Sequence, residues 1–458
     1  MRNTSWMAAR HHGARRLLTA GAALAVMMTL GSCGAGGTDS PTTPANTPTN
    51  ETTPTDNPPA GGELTILVEA GGHGELQPIA DKFTAETGST ITFVELPYDG
   101  LYDRLTSEFS SGNVSFDIAA VDAIWITAFK DGLVSLDDLF TDEVQANIFP
   151  SLLAEASPDG TFIGMPAWTN AQLLFYRTDL FEDPEQQAAF KEAKGYDLAA
   201  PTTWQQYLDM AEFFTQDTNG DGTPELYGAD VKGKVETEWL ACVLQAGSPA
   251  VVLDDNDQVI INDKAHKDAL DFYIAPVEMG IAPPGASQID WGAAQNLFYQ
   301  GQLAMMRFWA HAYTQTPEDS EVYGKVGVVP MPAGPGGIAG IPGAWYLSVP
   351  TAGNQTDLAK EFIAFSYENN EMGLSTPLGL AATISALESM QNEPGHENLT
   401  PLIDTLNAPG TAARPANAKW QEITDTVLIP MLQKAVEPGT DTQALLDEAK
   451  GQIEAILG

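Results

Sequence analysis

Residues 63–96, ELTILVEAGGHGELQPIADKFTAETGSTITFVEL, contain the pattern that decides the fold. Residues 63–69 form a short apolar run of strand length, and residues 90–96 form a second one. Between them, apolar side chains recur at intervals of three and four through residues 75–87, and Gly88 follows as a stop signal. The stretch therefore predicts a strand, a helix and a second strand joined by short turns.

The same alternation continues along the chain. We expect a helix over residues 101–110, a strand over 116–121 and a short helix over 125–129. Repeated strand–helix units predict an α/β fold built on a largely parallel sheet. Ligands of such folds bind beyond the carboxyl ends of the strands, so the loops that follow the predicted strands should face one crevice. These loops are residues 69–74, 97–99 and 122–125.

The composition combines an ordinary apolar content with a strong excess of acidic residues. Of the 458 residues, 43% are hydrophobic, which suffices for a sizeable core. Aspartate and glutamate number 61 against 21 lysines and arginines, and the resulting net charge of −40 repels nucleic-acid phosphates and anionic lipid headgroups. The two cysteines, Cys33 and Cys242, exclude a disulfide-stabilised scaffold and a structural zinc cluster.

The amino-terminal residues have the pattern of an export signal. Residues 1–32 carry four arginines and no acid, and an apolar run over residues 17–30 leads into LGSC at residues 30–33. This box resembles the lipobox of bacterial lipoproteins, so we expect a signal peptide over 1–32 and lipidation, including palmitate-type chains, at Cys33; an ordinary signal peptide with a chance cysteine is the alternative. Residues 33–62, rich in Thr, Pro and Gly, predict a disordered tether that holds the folded body at the extracellular face of the cell membrane.

Several short motifs follow one another in a fixed order along residues 63–458. They are residues 116–118 with Asp122 and Trp125, 164–166, 173–181, 201–204, 217–228, 301–305 with Trp309, 343–345, 359–362 and 420–457. Their order and spacing resemble those of the extracellular sugar-binding proteins of ABC importers, the maltose-binding-protein-like family.

The resemblance implies an α/β, two-lobe, periplasmic-binding-protein-like fold in which each hinged lobe is a mostly parallel sheet flanked by helices. By analogy, one lobe comprises residues 63–169 and 336–372, and the other comprises residues 170–335 and 373–458. The resemblance also implies a monomer that is not an enzyme and requires no cofactor. Such a protein closes its cleft around a mono- or oligosaccharide and delivers it to the membrane permease subunits of an ABC importer.

A neutral sugar presents apolar C–H faces and a rim of hydroxyls, so its site needs flat aromatic rings and fixed polar side chains. Trp168, Trp309 and Trp345 are predicted on loops or at strand ends with small or polar neighbours, which makes them candidates for stacking on the ligand. Asp122 directly follows an apolar strand and is the leading polar candidate. A core position is the alternative for each tryptophan, and a helix cap is the alternative for Asp122.

Four further side chains are candidate ligand contacts. Tyr98 lies near the adjacent strand end, and Arg414 could donate to sugar hydroxyls or form a surface salt bridge. Trp239 is a fourth aromatic candidate, with core packing as its alternative. Trp420 matches an aromatic residue that stacks on ligand in the resembling family, and helix packing is its alternative. Trp204, after a predicted helix cap, is interpreted as packing.

Residues 217–222 (DTNGDG) resemble the start of a calcium loop. Asp217, Asn219 and Asp221 place oxygen ligands at alternate positions, and Glu225 stands at the ninth position. The twelfth position holds Gly228 instead of a bidentate glutamate, so the segment departs from an EF-hand. A calcium site and a simple turn are both open interpretations.

No HExxH or GxSxG motif occurs in the sequence. The favoured interpretation is therefore a binding protein without catalysis. A membrane-anchored glycoside hydrolase is one alternative, because tryptophans and acids would suit it. A binding protein for a non-sugar solute such as a polyol is the other.

Overall fold

The computed structural model describes residues 61–254 and 256–458 of the chain. The signal peptide predicted for residues 1–32, the lipidation site Cys33 and nearly all of the tether predicted for residues 33–62 lie outside this part, so they stay predictions. Within the described part, no helix combines the length and the apolar character that crossing a membrane would require.

Eight strands in the described residues form two separate sheets. The strands are β1 (Glu63–Glu69), β2 (Thr90–Leu96), β3 (Ile118–Asp122), β4 (Met165–Trp168), β5 (Gln172–Arg177), β6 (Met305–Trp309), β7 (Val326–Pro330) and β8 (Trp345–Ser348). The first sheet has the strand order β2–β1–β3–β8–β4, and the second has the order β6–β5–β7.

The strands are connected and flanked by α-helices. These are α1 (His73–Thr87), α2 (Tyr98–Ser111), α3 (Ile126–Phe129), α4 (Asp142–Ala146), α5 (Pro150–Ala156), α6 (Thr178–Phe181), α7 (Pro184–Lys194), α8 (Trp204–Phe214), α9 (Thr237–Gln245), α10 (Lys264–Glu278), α11 (Trp291–Tyr299), α12 (Thr356–Glu368), α13 (Ile384–Met390), α14 (Leu399–Asn407), α15 (Trp420–Ile423), α16 (Ile429–Ala435) and α17 (Thr442–Leu457). Helices α1, α2 and α12 contact the first sheet, whereas α11 and α14 contact the second. A π-helical turn, Thr424–Leu428, joins α15 to α16.

The strand–helix–strand unit predicted from residues 63–96 is confirmed. β1 and β2 pair in parallel, from Glu63 beside Thr90 to the end of both strands. α1 buries the apolar stripe that includes Phe83 and ends at Gly88, which adopts a left-handed φ of 73° and donates its N–H to the carbonyl of Thr84. Glycine enters this conformation without the steric cost of a Cβ, which explains why the helix stops there.

The directions of the strands depart from the expected mostly parallel sheets. In the first sheet β1, β2 and β3 run parallel, but β8 lies antiparallel to both β3 and β4. In the second sheet the central strand β5 is antiparallel to both of its neighbours, which contradicts the prediction for that lobe.

The reversed strands are those that carry the chain from one sheet to the other. β5 begins four residues after the end of β4, and its first residue, Gln172, pairs with Trp309 at the end of β6. Similarly, Trp345 at the start of β8 pairs with Asp122 at the end of β3. A strand that enters a sheet from the boundary between the sheets must run opposite to strands that end at this boundary, so antiparallel pairing follows from the crossing.

The fold is therefore a two-lobe α/β fold with one sheet in each lobe. β1 to β4 and β8 belong to one sheet, and the chain crosses between the sheets after β4 and before β8. The division of the chain at residues 169/170, 335/336 and 372/373 stays a prediction.

Candidate ligand-binding site

A cavity of about 570 Å³ lies where the ends of the two sheets meet. It has the size that small-molecule sites usually have. Its walls contain Glu69, Tyr98, Asp122, Ile124, Trp168, Asn170, Glu236, Thr237, Trp291, Trp309, His311, Gly343, Trp345, Leu378, Leu380, Arg414, Gln421, Thr424, Asp425 and Ile429.

The strand ends place the main functional side chains. Glu69, Asp122 and Trp168 are the last residues of β1, β3 and β4, and Trp309 is the last residue of β6. Trp345, the first residue of β8, joins them because its strand starts at the same boundary. The expected crevice at the carboxyl ends of the strands is thus present, and its walls come from both sheets.

Two pairs of tryptophans form aromatic walls of the cavity. Trp168 and Trp345 stack with ring centroids 5.8 Å apart and planes inclined by 20°. Trp291 and Trp309 lie 5.5 Å apart at 43°. A Cβ added to Gly343 would come within 2.6 Å of the Trp309 ring, so glycine there lets the indole lie against the backbone. Such rings provide the flat apolar faces that a sugar ring needs.

Asp122 is the centre of a polar cluster on the floor of the cavity. Its carboxylate accepts hydrogen bonds from the Tyr98 hydroxyl (3.2 Å) and from the Ile124 backbone N–H (3.1 Å). An Arg414 guanidinium nitrogen, Nη2, lies 3.6 Å from Asp122 Oδ1 and donates to the carbonyl of Pro342 at 3.3 Å. Burial raises the pKa of Asp122, and the charge of Arg414 opposes this rise.

The predicted alternative for Arg414, a surface salt bridge, does not describe its position. Its side chain is 7% exposed, and the pair with Asp122 is buried. Arg414 Nε is buried and makes no hydrogen bond within the described part of the chain. This donor is unsatisfied by the described residues and is enclosed within the protein.

Three other titratable groups border the cavity with shifted pKa values. Burial and the neighbouring Asp122 carboxylate raise the pKa of Glu69 to about 7. Burial raises the pKa of Glu236, and the charge of Arg414 reduces this rise without cancelling it. Burial lowers the pKa of His311 to about 4, so this ring is neutral at pH 7, and its Nδ1 lies 2.7 Å from the Asn170 amide nitrogen as an acceptor.

Two of the predicted ligand contacts lie in the core instead. Trp239 is 0% exposed within α9, a helix that is buried on all sides, and its ring lies edge-on to His266 at 6.3 Å. Trp420 is also 0% exposed, because α15 turns its indole inward while Gln421, one residue later, lines the cavity. Core packing, the alternative interpretation, describes both tryptophans.

The sequence reasoning missed several wall residues. Trp291 follows Asp290, whose carboxylate caps α11 by accepting from the Ala293 N–H, and precedes Gly292. It thus meets the criterion used for the other loop tryptophans and could have been found. Asn170 and His311 gave no comparable signal. Asn170 lies in the crossing from β4 to β5, and His311 lies in the turn that follows β6.

The segment proposed for calcium forms an exposed oxygen-rich loop. Carboxylate oxygens of Asp217, Asp221 and Glu225 lie within 4.8 Å of one another. Asp217 accepts from the N–H groups of Gly220 (2.6 Å) and Gly222 (2.8 Å), which close the turn. The amide of Asn219 donates to Glu225. Each carboxylate keeps lone pairs that a hard cation could use.

Comparison with known proteins adds a family relationship. The model of the family described as bacterial extracellular solute-binding protein matches residues 70–372. A probable ABC transporter-binding protein of Deinococcus radiodurans is 26% identical over 418 residues, covering 86% of this chain and 94% of the relative. A mannitol-binding protein of Pseudomonas aeruginosa is 26% identical over 290 residues, covering 60% of this chain and 62% of the relative.

Solved structures share the fold at lower sequence identity. Maltose-bound MalE3 of T. maritima superposes with a TM-score of 0.69 at 22% identity, covering 86% of this chain and 100% of the other. A solute-binding protein of Agrobacterium radiobacter K84 in complex with ribitol gives a TM-score of 0.68 at 23% identity, covering 86% of this chain and 99% of the other.

Proposed function

The chain belongs to the bacterial extracellular solute-binding protein family, and from this premise we propose that it binds a sugar in the cavity and delivers it to the permease of an ABC importer. Family membership makes it a solute-binding protein and not an enzyme, which sets aside the glycoside hydrolase alternative. The observation that carries the sugar proposal is the pair of aromatic walls: two tryptophan pairs, from strand ends of both sheets and from α11, border one cavity.

The walls favour a ring sugar over an open-chain polyol. A pyranose ring offers a flat C–H face to each indole, whereas an acyclic polyol offers no such face. Around the rings, Asp122, Arg414 and Asn170 supply the acceptors and donors that a rim of hydroxyls requires. The polyol alternative keeps some support from the mannitol-binding relative and from the ribitol complex.

A thermal-shift screen of sugars and matching polyols tests this proposal. A ligand that binds only the native state stabilises it by about 2.7 kcal/mol at one hundred times its Kd, which gives a clear rise in melting temperature. We expect ring sugars to raise the melting temperature more than their reduced polyols do. A screen in which only polyols stabilise the protein would replace the sugar proposal, and a screen without any stabilising sugar or polyol would reject both.

Small-angle scattering of the same samples tests whether the two lobes close around the ligand. A ligand that touches both lobes favours the closed state by its extra contacts there, and only this differential affinity can shift the equilibrium. We expect a smaller radius of gyration at saturation and the molar mass of a monomer. An unchanged radius with a saturating sugar would reject closure around the ligand.

We further propose that Cys33 anchors the protein to the membrane through lipid; this residue lies outside the described part, and the support is the LGSC box alone. Replacing Cys33 with Ala should release the protein into the medium or block its processing, because the thiol that accepts the lipid is gone. Membrane fractionation by immunoblot measures the outcome. Cys242→Ala, which changes the buried second cysteine, is the control and should stay with the membrane. Membrane-bound Cys33→Ala protein would refute the anchor.

The loop at Asp217, Asn219, Asp221 and Glu225 is proposed to hold a structural calcium ion. Calcium should raise the melting temperature of the wild-type protein, with affinity near the millimolar range of extracellular modules. Asp217→Asn together with Asp221→Asn should abolish this rise, because the carboxylates supply most of the ligand charge. Asp254→Asn changes another acidic turn and should retain it. Absence of calcium binding in calorimetry would leave the loop as a turn only.

A further inference from the structure

The cavity walls contain more acidic than basic side chains. Four acidic side chains line it, Glu69, Asp122, Glu236 and Asp425, whereas Arg414 is the basic side chain among the wall residues. His311 does not change this balance, because burial lowers its pKa to about 4 and leaves it neutral at pH 7.

The positive charge of Arg414 already interacts with acidic side chains of the protein. Its guanidinium pairs with Asp122 at 3.6 Å, and its charge also opposes the raised pKa of the buried Glu155, which is hydrogen-bonded by the Tyr346 hydroxyl at 2.7 Å behind the cavity. Arg414 therefore offsets about one carboxylate of this group. Among the described residues, Glu69, Glu236 and Asp425 form no salt bridge, and only Glu236 also feels the charge of Arg414.

These three carboxylates are also poorly satisfied by the protein. Neither Glu69 nor Glu236 accepts a side-chain hydrogen bond from another described residue, and Asp425 accepts only from the Gln421 amide, at 3.0 Å. A neutral sugar can donate hydroxyls to such groups, but it does not offset their charge. Burial raises the pKa of Glu69 to about 7 and also raises that of Glu236, so these carboxylates are costly to ionise in the empty cavity. An ammonium group beside them would favour the ionised form and offset its charge.

A favourable interaction with a helix N-terminus explains the position of only one of these three carboxylates. Glu236 immediately precedes α9, and a negative charge at a helix N-terminus is favourable. Glu69, however, ends a strand, and Asp425 lies in the π-helical turn, so neither has a helix N-terminus to stabilise. The aromatic walls add a second feature, because indole faces attract cations as well as C–H groups.

We infer that the ligand is an amino sugar, which carries a protonated amine in addition to its hydroxyls. Indole faces bind its ring, Asp122 and Arg414 bind the hydroxyl rim, and the free carboxylates face its ammonium group. The inference rests on the proposed function, because it takes the cavity as the sugar site and adds the charge of the ligand.

The test compares sugars with and without this charge. Glucosamine, galactosamine, mannosamine and the β-1,4-linked glucosamine disaccharide are each titrated by calorimetry beside the parent sugar with a hydroxyl and the N-acetylated form. An ammonium group between the partly buried carboxylates of Glu69 and Glu236 and the indoles should bind at least about tenfold more tightly than the neutral group in one of these sets.

Three variants locate the effect. Glu69→Gln and Glu236→Gln remove a free carboxylate each at nearly constant shape and should reduce the preference for the amine at least about threefold. Glu212→Gln changes a carboxylate that is 57% exposed, pairs with Lys194 and is not a wall residue, and it should leave the preference unchanged.

The outcomes separate this inference from the proposed function. Tight binding of neutral sugars with no gain from the amine would overturn the inference and leave the sugar proposal standing. A preference for the amine that both cavity variants retain would also overturn it, because the charge would then be recognised elsewhere. If no sugar of any set binds although another sugar raises the melting temperature in the screen, the inference fails and the proposed function stands. If neither experiment finds a sugar, both fail.

Discussion

Replacing Lys232 with Met should lower the free energy of unfolding by about 3–5 kcal/mol, because the change leaves buried carboxylates without their counter-charge. Lys232 is 0% exposed, and its ammonium donates to Asp230, to Glu238 (2.6 Å) and to the carbonyl of Arg307 (2.6 Å). Burial raises the pKa of Glu238, and the charge of Lys232 opposes this rise. Urea denaturation followed by circular dichroism measures the loss.

Lys264→Met is the matched control for this experiment. The Lys264 side chain is 85% exposed, and its one ion-pair partner among the described residues is Asp268, one helical turn away. Its loss should therefore cost less than about 0.5 kcal/mol. A loss of similar, small size in Lys232→Met would show that the buried group does not act as a paired cluster. Lowering the pH should reduce the stability difference between Lys232→Met and the wild type, because burial raises the pKa of Glu238 and its protonation removes the unpaired charge.

Lys232, Asp230, Glu238 and Arg307 form this buried group, the Lys232 cluster, which also supports one wall of the cavity. The ammonium of Lys232 lies 5.2 Å from the centroid of the Trp291 ring, and Arg307 precedes Trp309 by two residues on β6. Side chains two apart on a strand lie on the same face, so the cluster and the Trp309 indole occupy the same side of the second sheet. We therefore expect that disrupting this cluster also loosens the positions of the Trp291 and Trp309 rings.

Sequence reasoning located much of the cavity because strand ends are visible in the chain. The rule for parallel strands placed Asp122 at the crevice. Trp168, Trp309 and Trp345 were predicted from their positions on loops or at strand ends and from the family resemblance. The structure brings these residues together in the walls, with Tyr98 and Arg414 beside them. Their contact with a ligand stays a prediction.

The predictions that were wrong share one physical cause. Each depends on contacts with residues that are distant in sequence and close in the fold. Trp239 and Trp420 lie on helices, and which face of a short helix is buried depends on elements far away in sequence. The direction of β5 depends on the crossing between the sheets, which local periodicity does not encode. The four charges of the Lys232 cluster come from positions 230–307 and show no motif, although they meet in one buried group.

Replacing Trp309 with Ala should weaken binding of the best sugar from the screen by about 2 kcal/mol or more, roughly thirtyfold. Trp309 ends β6, faces the cavity with Trp291 beside it and is half-buried, so the truncation removes a large apolar contact with the ligand. Calorimetric titration of wild type and variant measures the change. Scattering of the variant at saturating sugar should still show closure, because Trp291 keeps a contact on the same wall and Trp168 and Trp345 keep the opposite one.

Trp204→Ala separates this effect from a general loss of packing. Trp204 is also half-buried, but it stacks on Phe272 with centroids 4.1 Å apart, donates its indole N–H to Gln245 and does not line the cavity. Its truncation should lower the free energy of unfolding by roughly 3 kcal/mol and change the affinity less than about twofold. Wild-type affinity in Trp309→Ala, or an equal loss of affinity in both variants, would show that the Trp309 indole does not hold the sugar, since only a specific contact produces the expected difference between these two tryptophans.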